Sequence, residues 1–181
     1  MHRIAKLFAV TVCFIALFAT LQGTVFASSS IREQNAQPLV TCSGNGCNGL
    51  DPVNTGCSAT ASTILTAPIK WGTQTVGTVN LRFSSACQTN WAQVVSSIGP
   101  AQFNAEVERD NGVDGPLLGY CVGVSDFCGQ NGVVGSTFAY TDMVWARDVS
   151  ALAFGEMLDP NSSQSGSACV KQQPGSPALS C

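Results

Sequence analysis

The chain has 181 residues, nine cysteines, a formal net charge of −3 and a single histidine, His2. Because His2 lies in a segment predicted to be removed, we expect no Ser-His-Asp or Cys-His catalysis in the mature protein, and no imidazole metal ligand. Removal of Arg3 and Lys6 with that segment leaves six basic and eleven acidic residues, a net charge of 6 − 11 = −5. This balance excludes the basic surface of a nucleic-acid-binding protein.

Residues 1–27 have the layout of a secretory signal peptide. Basic residues are followed by an apolar run over residues 7–21, which is shorter than the about 20 residues needed to span a bilayer. Small or β-branched residues precede a predicted cleavage after Ala27. The sequence therefore predicts a secreted, extracellular protein that keeps no membrane span after cleavage. Residues 28–41 form a polar N-terminal segment.

The globular part is predicted over residues 42–158. It begins with a turn-rich loop over residues 42–57, dense in Gly and Asn and bounded by cysteines. The elements predicted after this loop are strands over residues 62–71, 75–84, 101–109, 116–124 and 133–146, and one short helix over residues 87–97. Within the first strand, Pro68 predicts either an edge position or a break in the strand.

Two features of these elements predict the fold class. Apolar and polar residues alternate over residues 101–109, which is typical of a half-buried strand. Asp110-Asn111-Gly112 is a tight-turn signal. Short strands separated by Gly and Asn turns predict an all-β fold, a small antiparallel sandwich or barrel stabilised by disulfides. Residues 159–181 are predicted to form a Pro/Ser/Gly-rich C-terminal tail.

An even number of mature cysteines behind a signal peptide indicates disulfides. The candidates are Cys42, Cys47, Cys57, Cys87, Cys121, Cys128, Cys169 and Cys181. Their connectivity is open, but we expect Cys57 to pair with Cys87, and Cys121 with Cys128. A zinc site is the competing interpretation, and the absence of CxxC spacing disfavours it. We expect no cofactor and no metal requirement for folding.

Three stretches carry a resemblance to a known family. They are Cys47-x-Gly-x-Asp-Pro-x-x-Thr-Gly-Cys57, Val79-x-Leu-Arg-Phe-Ser84-x-x-Cys87-x-x-x-Trp91-Ala92, and Tyr140-x-x-Met143-Val144-x-Ala146. On these stretches the chain resembles the YjfA-like family of secreted bacterial proteins, whose function is unknown. The resemblance runs from Cys42 to Met157. It implies a secreted bacterial protein, and it implies no activity, cofactor or catalytic residue.

The only acidic cluster consists of Glu106, Glu108, Asp110 and Asp114. Two carboxylates at a suitable separation hydrolyse a glycosidic bond without histidine. As alternate residues of one strand, Glu106 and Glu108 are expected to lie about 7 Å apart. The competing interpretation is a solvated strand face that ends in a hairpin. Asp110 to Asp114 also faintly resembles a calcium loop, but the EF-hand pattern fails because Gly112 replaces a ligand.

Other candidates have a functional and a structural interpretation. Arg82 either binds an anion, or pairs with Asp51, or packs its stem over the sheet edge. The three tryptophans either form a sugar-stacking platform or belong to the core; they are Trp71, Trp91 and Trp145. Ser84 and Ser85 have no base to activate them, so neither is expected to be a nucleophile.

The leading functional hypothesis is a non-catalytic extracellular binding or cell-surface interaction module with an unknown extracellular or cell-wall ligand. The alternatives are a carboxylate-based glycan hydrolase, or a secreted inhibitor or toxin. A cleft with converging carboxylates favours the enzyme, whereas a flat aromatic patch favours the binding module. A protruding stapled loop, such as the one between Cys121 and Cys128, favours the inhibitor.

Overall fold

The computed structural model of the chain describes residues 39–110, 118–123, 134–146, 149–173 and 175. These residues contain two 3-10 turns, at Gly44–Cys47 and Cys57–Thr60. They also contain nine strands: β1 Ala61–Trp71, β2 Gln74–Ser84, β3 Thr89–Ser96, β4 Ala101–Asp110, β5 Leu118–Gly123, β6 Val134–Ser136, β7 Phe138–Tyr140, β8 Ser150–Leu158 and β9 Ser165–Gln172.

The strands form two antiparallel sheets. Sheet 1 has the order β1-β2-β3-β7, and sheet 2 has the order β5-β4-β8-β9, with β6 paired to β4. β1, which contains Pro68, lies at an edge of sheet 1, as predicted. The prediction of an all-β antiparallel fold is confirmed, and the architecture is a sandwich. In the described part of the chain, no helix has the length and apolar character needed to cross a membrane.

The main core lies between the two sheets. Alternate residues of β4 point into it, and Phe103, Ala105 and Val107 are completely buried. Ala92 and Val94 of β3, the strand of sheet 1 that contacts β4, are buried to the same degree. The alternation of apolar and polar residues over 101–109 therefore separates the side chains that face the core from those on the outer face of the sheet.

The sheets approach each other closely at β8. A Cβ atom built on Gly155 would lie 2.6 Å from Val94 Cγ2 and 2.9 Å from Val79 Cβ. The inward positions of β8 also include Ala151 and Ala153, which are small for the same reason. Small inward residues give a weak hydrophobic signal, which explains why the sequence predicted no strand over residues 150–158.

The helix predicted over residues 87–97 is wrong, because this segment forms strand β3. Ala92 and Val94 face the main core, while Trp91 on the opposite face is 3% exposed. Since both faces of the strand are covered, the two-residue alternation disappears from the sequence. The β-branched residues of the segment favour the strand.

The single strand predicted over residues 133–146 is divided. β6 pairs with β4 in sheet 2, and β7 pairs with β3 in sheet 1, so the chain changes sheets near Thr137. Val144 then makes an isolated bridge to Asn90. Gly135, which has a φ of +78°, and Ser136 mark the division in the sequence, and the prediction of one continuous strand ignored them.

The globular part continues beyond the predicted boundary at residue 158. Strand β9 lies inside the segment predicted as a polar tail, and it pairs with β8 along its whole length. Only Val170 of β9 is buried. An edge strand with one buried residue has a polar composition, and composition alone assigned it to a tail.

A second, smaller core covers the outer face of sheet 1. It contains Trp91 and Met143 together with three fully buried cysteines, Cys47, Cys57 and Cys87. Cys57 and Cys87 form a disulfide, as predicted, and a second disulfide joins Cys42 to Cys47. The turn-rich loop over residues 42–57 is thereby fixed to the sheet instead of extending into solvent.

Candidate functional site

An open cleft of about 300 Å³ lies at one end of the sandwich. We call it the end cleft. Sheet 1 contributes residues of β1, β2, β3 and the β2–β3 turn, and sheet 2 contributes the end of β9. The side chains that line it are Ile64, Phe83, Ser85, Gln88, Asn90, Ala146 and Gln172.

The turn between β2 and β3 shapes the rim of the end cleft. Ser84 holds this turn, because its carbonyl accepts from Gln88 N at 2.7 Å and its Oγ accepts from Cys87 N at 3.1 Å. Gln88 has a φ of +57°, a left-handed backbone conformation that costs a non-glycine residue roughly 1–2 kcal/mol. A glycine there would relieve that cost, but it would remove the carboxamide from the rim.

Asn90 is fixed at the cleft by two strands. Its backbone exchanges hydrogen bonds of 2.8 Å with Val144, and its Nδ2 donates to Arg82 O at 3.3 Å. Asn90 is 2% exposed, so its position is set by packing as well as by hydrogen bonds. Together with Gln88 and Gln172, it gives the cleft three carboxamide side chains.

The lining indicates what the end cleft can bind. Among the described lining residues there is no charged side chain, so the cleft offers no counter-charge to an ion. Phe83, Ile64 and Ala146 supply apolar surface, and the carboxamides supply hydrogen-bond donors and acceptors. Apolar walls with a few fixed polar groups are the usual composition of a ligand pocket, and the volume is at the lower end of the range for such pockets.

The acidic residues predicted from the sequence lie elsewhere, on the outer face of sheet 2. The side chains of Glu106 and Glu108 interact on this face through a hydrogen bond and through charge. Partial burial, the hydrogen bond to Glu108 and the charge of Glu108 together raise the pKa of Glu106 from 4.5 to about 7. Next to this pair, Asn104 Nδ2 donates to Glu156 Oε2 at 2.7 Å. Asp110 and Asp114 have side chains outside the described residues.

The raised pKa of Glu106 makes stability depend on pH. The pKa is raised in the folded state, so the folded protein is most favoured at low pH and loses stability as pH rises from about 4.5 to about 7. Because Glu106 is partly exposed, solvent screening reduces the loss to the order of 1 kcal/mol. We expect Glu106→Gln to abolish this loss, measured by urea unfolding at pH 4 and pH 8.

The control for this prediction is Glu156→Gln on the neighbouring strand. A glutamine there still accepts the hydrogen bond of Asn104 and leaves the Glu106–Glu108 pair intact. Glu156→Gln should therefore keep the pH dependence of the wild-type protein. An unchanged dependence in Glu106→Gln would contradict the assignment of the proton to this pair.

The structure gives Arg82 a structural role. Its Nη1 donates to Thr63 Oγ1 at 2.6 Å and its Nη2 donates to Ala61 O at 3.4 Å, both on edge strand β1. The predicted alternative of a pair with Asp51 is wrong. Asp51 instead accepts from Val53 N at 2.6 Å with its Oδ1. Because β1 is the edge strand and pairs with β2, the guanidinium of Arg82 attaches the edge strand to its neighbour.

The tryptophans do not form a common platform. Trp91 is buried in the second core, while Trp71 packs against the main core and donates from Nε1 to Met157 O at 3.2 Å. The backbone N–H of Trp145 donates to Asn48 Oδ1 at 2.6 Å. Ser84, which is completely buried, shares a hydrogen bond of 2.7 Å with Thr60 Oγ1. These contacts join different parts of the fold, so we assign the residues structural roles.

The first of the three stretches quoted for the resemblance also has a structural explanation. Asp51 Oδ1 caps the loop by accepting from both Val53 N and Asn54 N. Gly56 has a φ of +77°, and a Cβ atom built there would lie 2.9 Å from Leu39 O. The loop therefore needs an aspartate and a glycine at these positions to bring Cys57 to the sheet.

The remaining cysteine predictions are only partly within the described residues. Cys169 is disulfide-bonded, and its partner is a cysteine whose side chain is not described. The side chains of Cys121, Cys128 and Cys181 are outside the described part of the chain. The Cys121–Cys128 bridge therefore stays a prediction. The carboxamides of the end cleft were not singled out from the sequence, because uncharged polar residues are abundant in this chain and carry no spacing signal.

Comparison with known proteins identifies the family. The model of a protein family of unknown function, DUF2690, matches residues 45–154. The chain belongs to this family. Uncharacterized protein YjfA of Bacillus subtilis (strain 168) is 31% identical over 121 residues, which are 63% of this chain and 73% of that protein. No solved structure matches. The residues matched to DUF2690 include every described lining residue of the end cleft except Gln172.

Proposed function

We propose that this member of the DUF2690 family is an exported, non-catalytic binding module that recognises a neutral glycan of the cell wall in the end cleft. The observation that carries the proposal is the cleft itself, with its three carboxamides and its apolar walls. Export is inferred from the signal-peptide layout of residues 1–27, and two described disulfides are consistent with an oxidising compartment.

The chemistry of the lining selects a ligand with hydroxyl and amide groups. The exposed carboxamides of Gln88 and Gln172 both donate and accept, so they match a sugar hydroxyl or an acetamido group without a charge. The buried Asn90 already donates to the backbone and forms part of the wall. Phe83 offers apolar surface to the carbon face of a sugar ring. A volume of about 300 Å³ suits one or two sugar units of an N-acetylhexosamine chain.

The hydrolase alternative has one supporting observation, the pKa of about 7 at Glu106, which suits a general acid. The geometry of the pair opposes it. Retaining glycosidases hold their two carboxyl groups about 5 Å apart and inverting enzymes hold them farther apart. Glu106 and Glu108 instead share a direct hydrogen bond. We therefore place the function in the end cleft and assign the acidic pair a role in stability.

The proposal is tested by calorimetric titration of the purified protein with soluble N-acetylglucosamine oligomers. Ser85→Trp fills the end cleft from its exposed rim and should weaken binding by about tenfold or more, a loss of at least about 1.4 kcal/mol. Ala86→Trp is the matched control, because Ala86 is exposed in the same turn but does not line the cleft. It should leave the affinity unchanged.

A second variant separates binding from folding. Gln88→Gly relieves the left-handed backbone, so its thermal midpoint should equal or exceed that of the wild-type protein. Its affinity should nevertheless fall, because one carboxamide is lost from the rim. Equal loss of affinity in Ser85→Trp and Ala86→Trp, or unchanged affinity in both cleft variants, would contradict the proposal.

A further inference from the structure

Exposed apolar side chains gather where the loop over residues 42–57 meets strand β7. Gly49 N donates to Met143 O at 2.9 Å, and Met143 N donates to Leu50 O at 3.1 Å, so the loop lies against the chain that follows β7. Of the five large apolar residues exposed in the described part of the chain, three lie at this junction, namely Leu50, Val53 and Phe138. A contiguous group of this kind marks an interaction surface, whereas single exposed apolar residues do not.

Two aromatic rings form one half of this surface. Phe138 and Tyr140 are alternate residues of β7, so they lie on the same face of the strand, while Ala139 between them is buried in the main core. Their rings stack with an interplanar angle of 14°. Because Phe138 is also exposed, part of its ring surface is open to a ligand.

Two carboxylates form the other half. Asp51 Oδ1 accepts from Val53 N and Asn54 N within the loop, and its Oδ2 accepts from Tyr140 Oη at 3.5 Å. Asp142 is exposed two residues after Tyr140, and partial burial and the charge of Asp51 both raise its pKa. Among the described residues, no lysine or arginine pairs with either carboxylate. The negative charge of this surface is therefore available to a cation from outside.

These residues together are called the junction patch: Leu50, Asp51, Val53, Phe138, Tyr140 and Asp142. We propose that the junction patch binds an arginine side chain of a partner protein, in a segment where apolar residues flank that arginine. A guanidinium stacks on an aromatic ring and donates to a carboxylate at the same time, whereas the ammonium of lysine is a compact and strongly hydrated charge. Leu50 and Val53 then offer apolar surface to the residues beside the arginine.

This interaction goes beyond the binding of glycan. The junction patch shares no residue with the described lining of the end cleft, so one surface can be occupied without the other. The two proposals therefore fail independently: a glycan that does not bind leaves the junction patch untouched, and a peptide that does not bind leaves the end cleft untouched.

The test is a titration of the isotopically labelled full chain with the blocked peptide acetyl-Leu-Arg-Leu-amide, followed by backbone amide resonances. We expect saturable shifts at Leu50, Tyr140 and Asp142, and none at Gln88 or Asn90 of the end cleft. The same peptide with lysine in place of arginine should bind more weakly. The peptide with citrulline, which keeps the shape of arginine without its charge, should give no saturable shifts.

Two variants remove one half of the junction patch each. Asp142→Asn removes a charge, and Phe138→Leu keeps apolar bulk without the aromatic ring, so each should weaken binding by about two- to fivefold. Asp51 is left unchanged, because its Oδ1 holds the loop. Asp159→Asn is the matched control, since it removes the same charge from the β8–β9 turn and should leave the affinity unchanged.

The amide spectrum of each variant shows whether the fold is retained. Saturable binding of the citrulline peptide with the affinity of the arginine peptide would overturn the proposal. The same holds for equal affinity of the lysine peptide, for unchanged affinity in both Asp142→Asn and Phe138→Leu, and for the absence of shifts in the wild-type protein.

Discussion

Replacing both Cys57 and Cys87 by alanine should lower the free energy of unfolding by about 3–4 kcal/mol, measured by urea denaturation at neutral pH. The bond joins residues 30 apart, so its loss frees a long loop in the unfolded chain. It also releases the loop over residues 42–57, which has no other disulfide to the sheet among the described residues. The loss is a large share of the about 5–15 kcal/mol available to a domain.

The matched control is the paired change Cys42→Ala with Cys47→Ala. This disulfide joins residues only five apart, so the chain-entropy model assigns it about 2 kcal/mol. It lies within the loop and does not reach the sheet. Equal losses of stability for the two removals would contradict the conclusion that Cys57–Cys87 fixes the loop to the sheet.

Phe103→Ala should destabilise the protein by about 3–5 kcal/mol, because it leaves a cavity between the two sheets. Phe103 is completely buried and belongs to β4, the strand from which β8 and β5 extend on either side. Urea denaturation measures the effect, and the slope of the transition should stay the same because the fold is retained.

Phe138→Ala is the control for this change. Phe138 is 45% exposed on the short strand β7, where its ring stacks on Tyr140 with centroids 6.2 Å apart. Its removal should cost less than about 1 kcal/mol. Comparable losses for the two phenylalanines would place the core of the protein somewhere other than between the two sheets.

The elements that the sequence predicted correctly are those with one covered face. β2 and β4 have their apolar residues in alternation, and the register of the sandwich follows from that pattern. β3 was mistaken for a helix because Trp91 and Ala92 are buried on opposite faces. β8 was missed because three of its inward-facing residues are small, namely Ala151, Ala153 and Gly155. β9 was missed because an edge strand with one buried residue is polar.

The candidate site was harder to predict than the fold. Acidic residues are conspicuous in a sequence, but Glu106 and Glu108 do not line the end cleft, and their interaction with each other helps to raise the pKa of Glu106. The carboxamides of the cleft come together only through tertiary structure: Gln88 from a turn, Asn90 from β3 and Gln172 from β9. Residues so far apart in the chain show no spacing pattern that would indicate a site.

The central claim is that the end cleft is the binding site of this protein. Backbone amide resonances of the isotopically labelled protein, followed during titration with N-acetylglucosamine oligomers, test it most directly. The account predicts saturable shifts at Ser85, Gln88, Asn90 and Gln172. Shifts confined to the outer face of sheet 2 around Glu106, or no shifts with any oligomer, would contradict it.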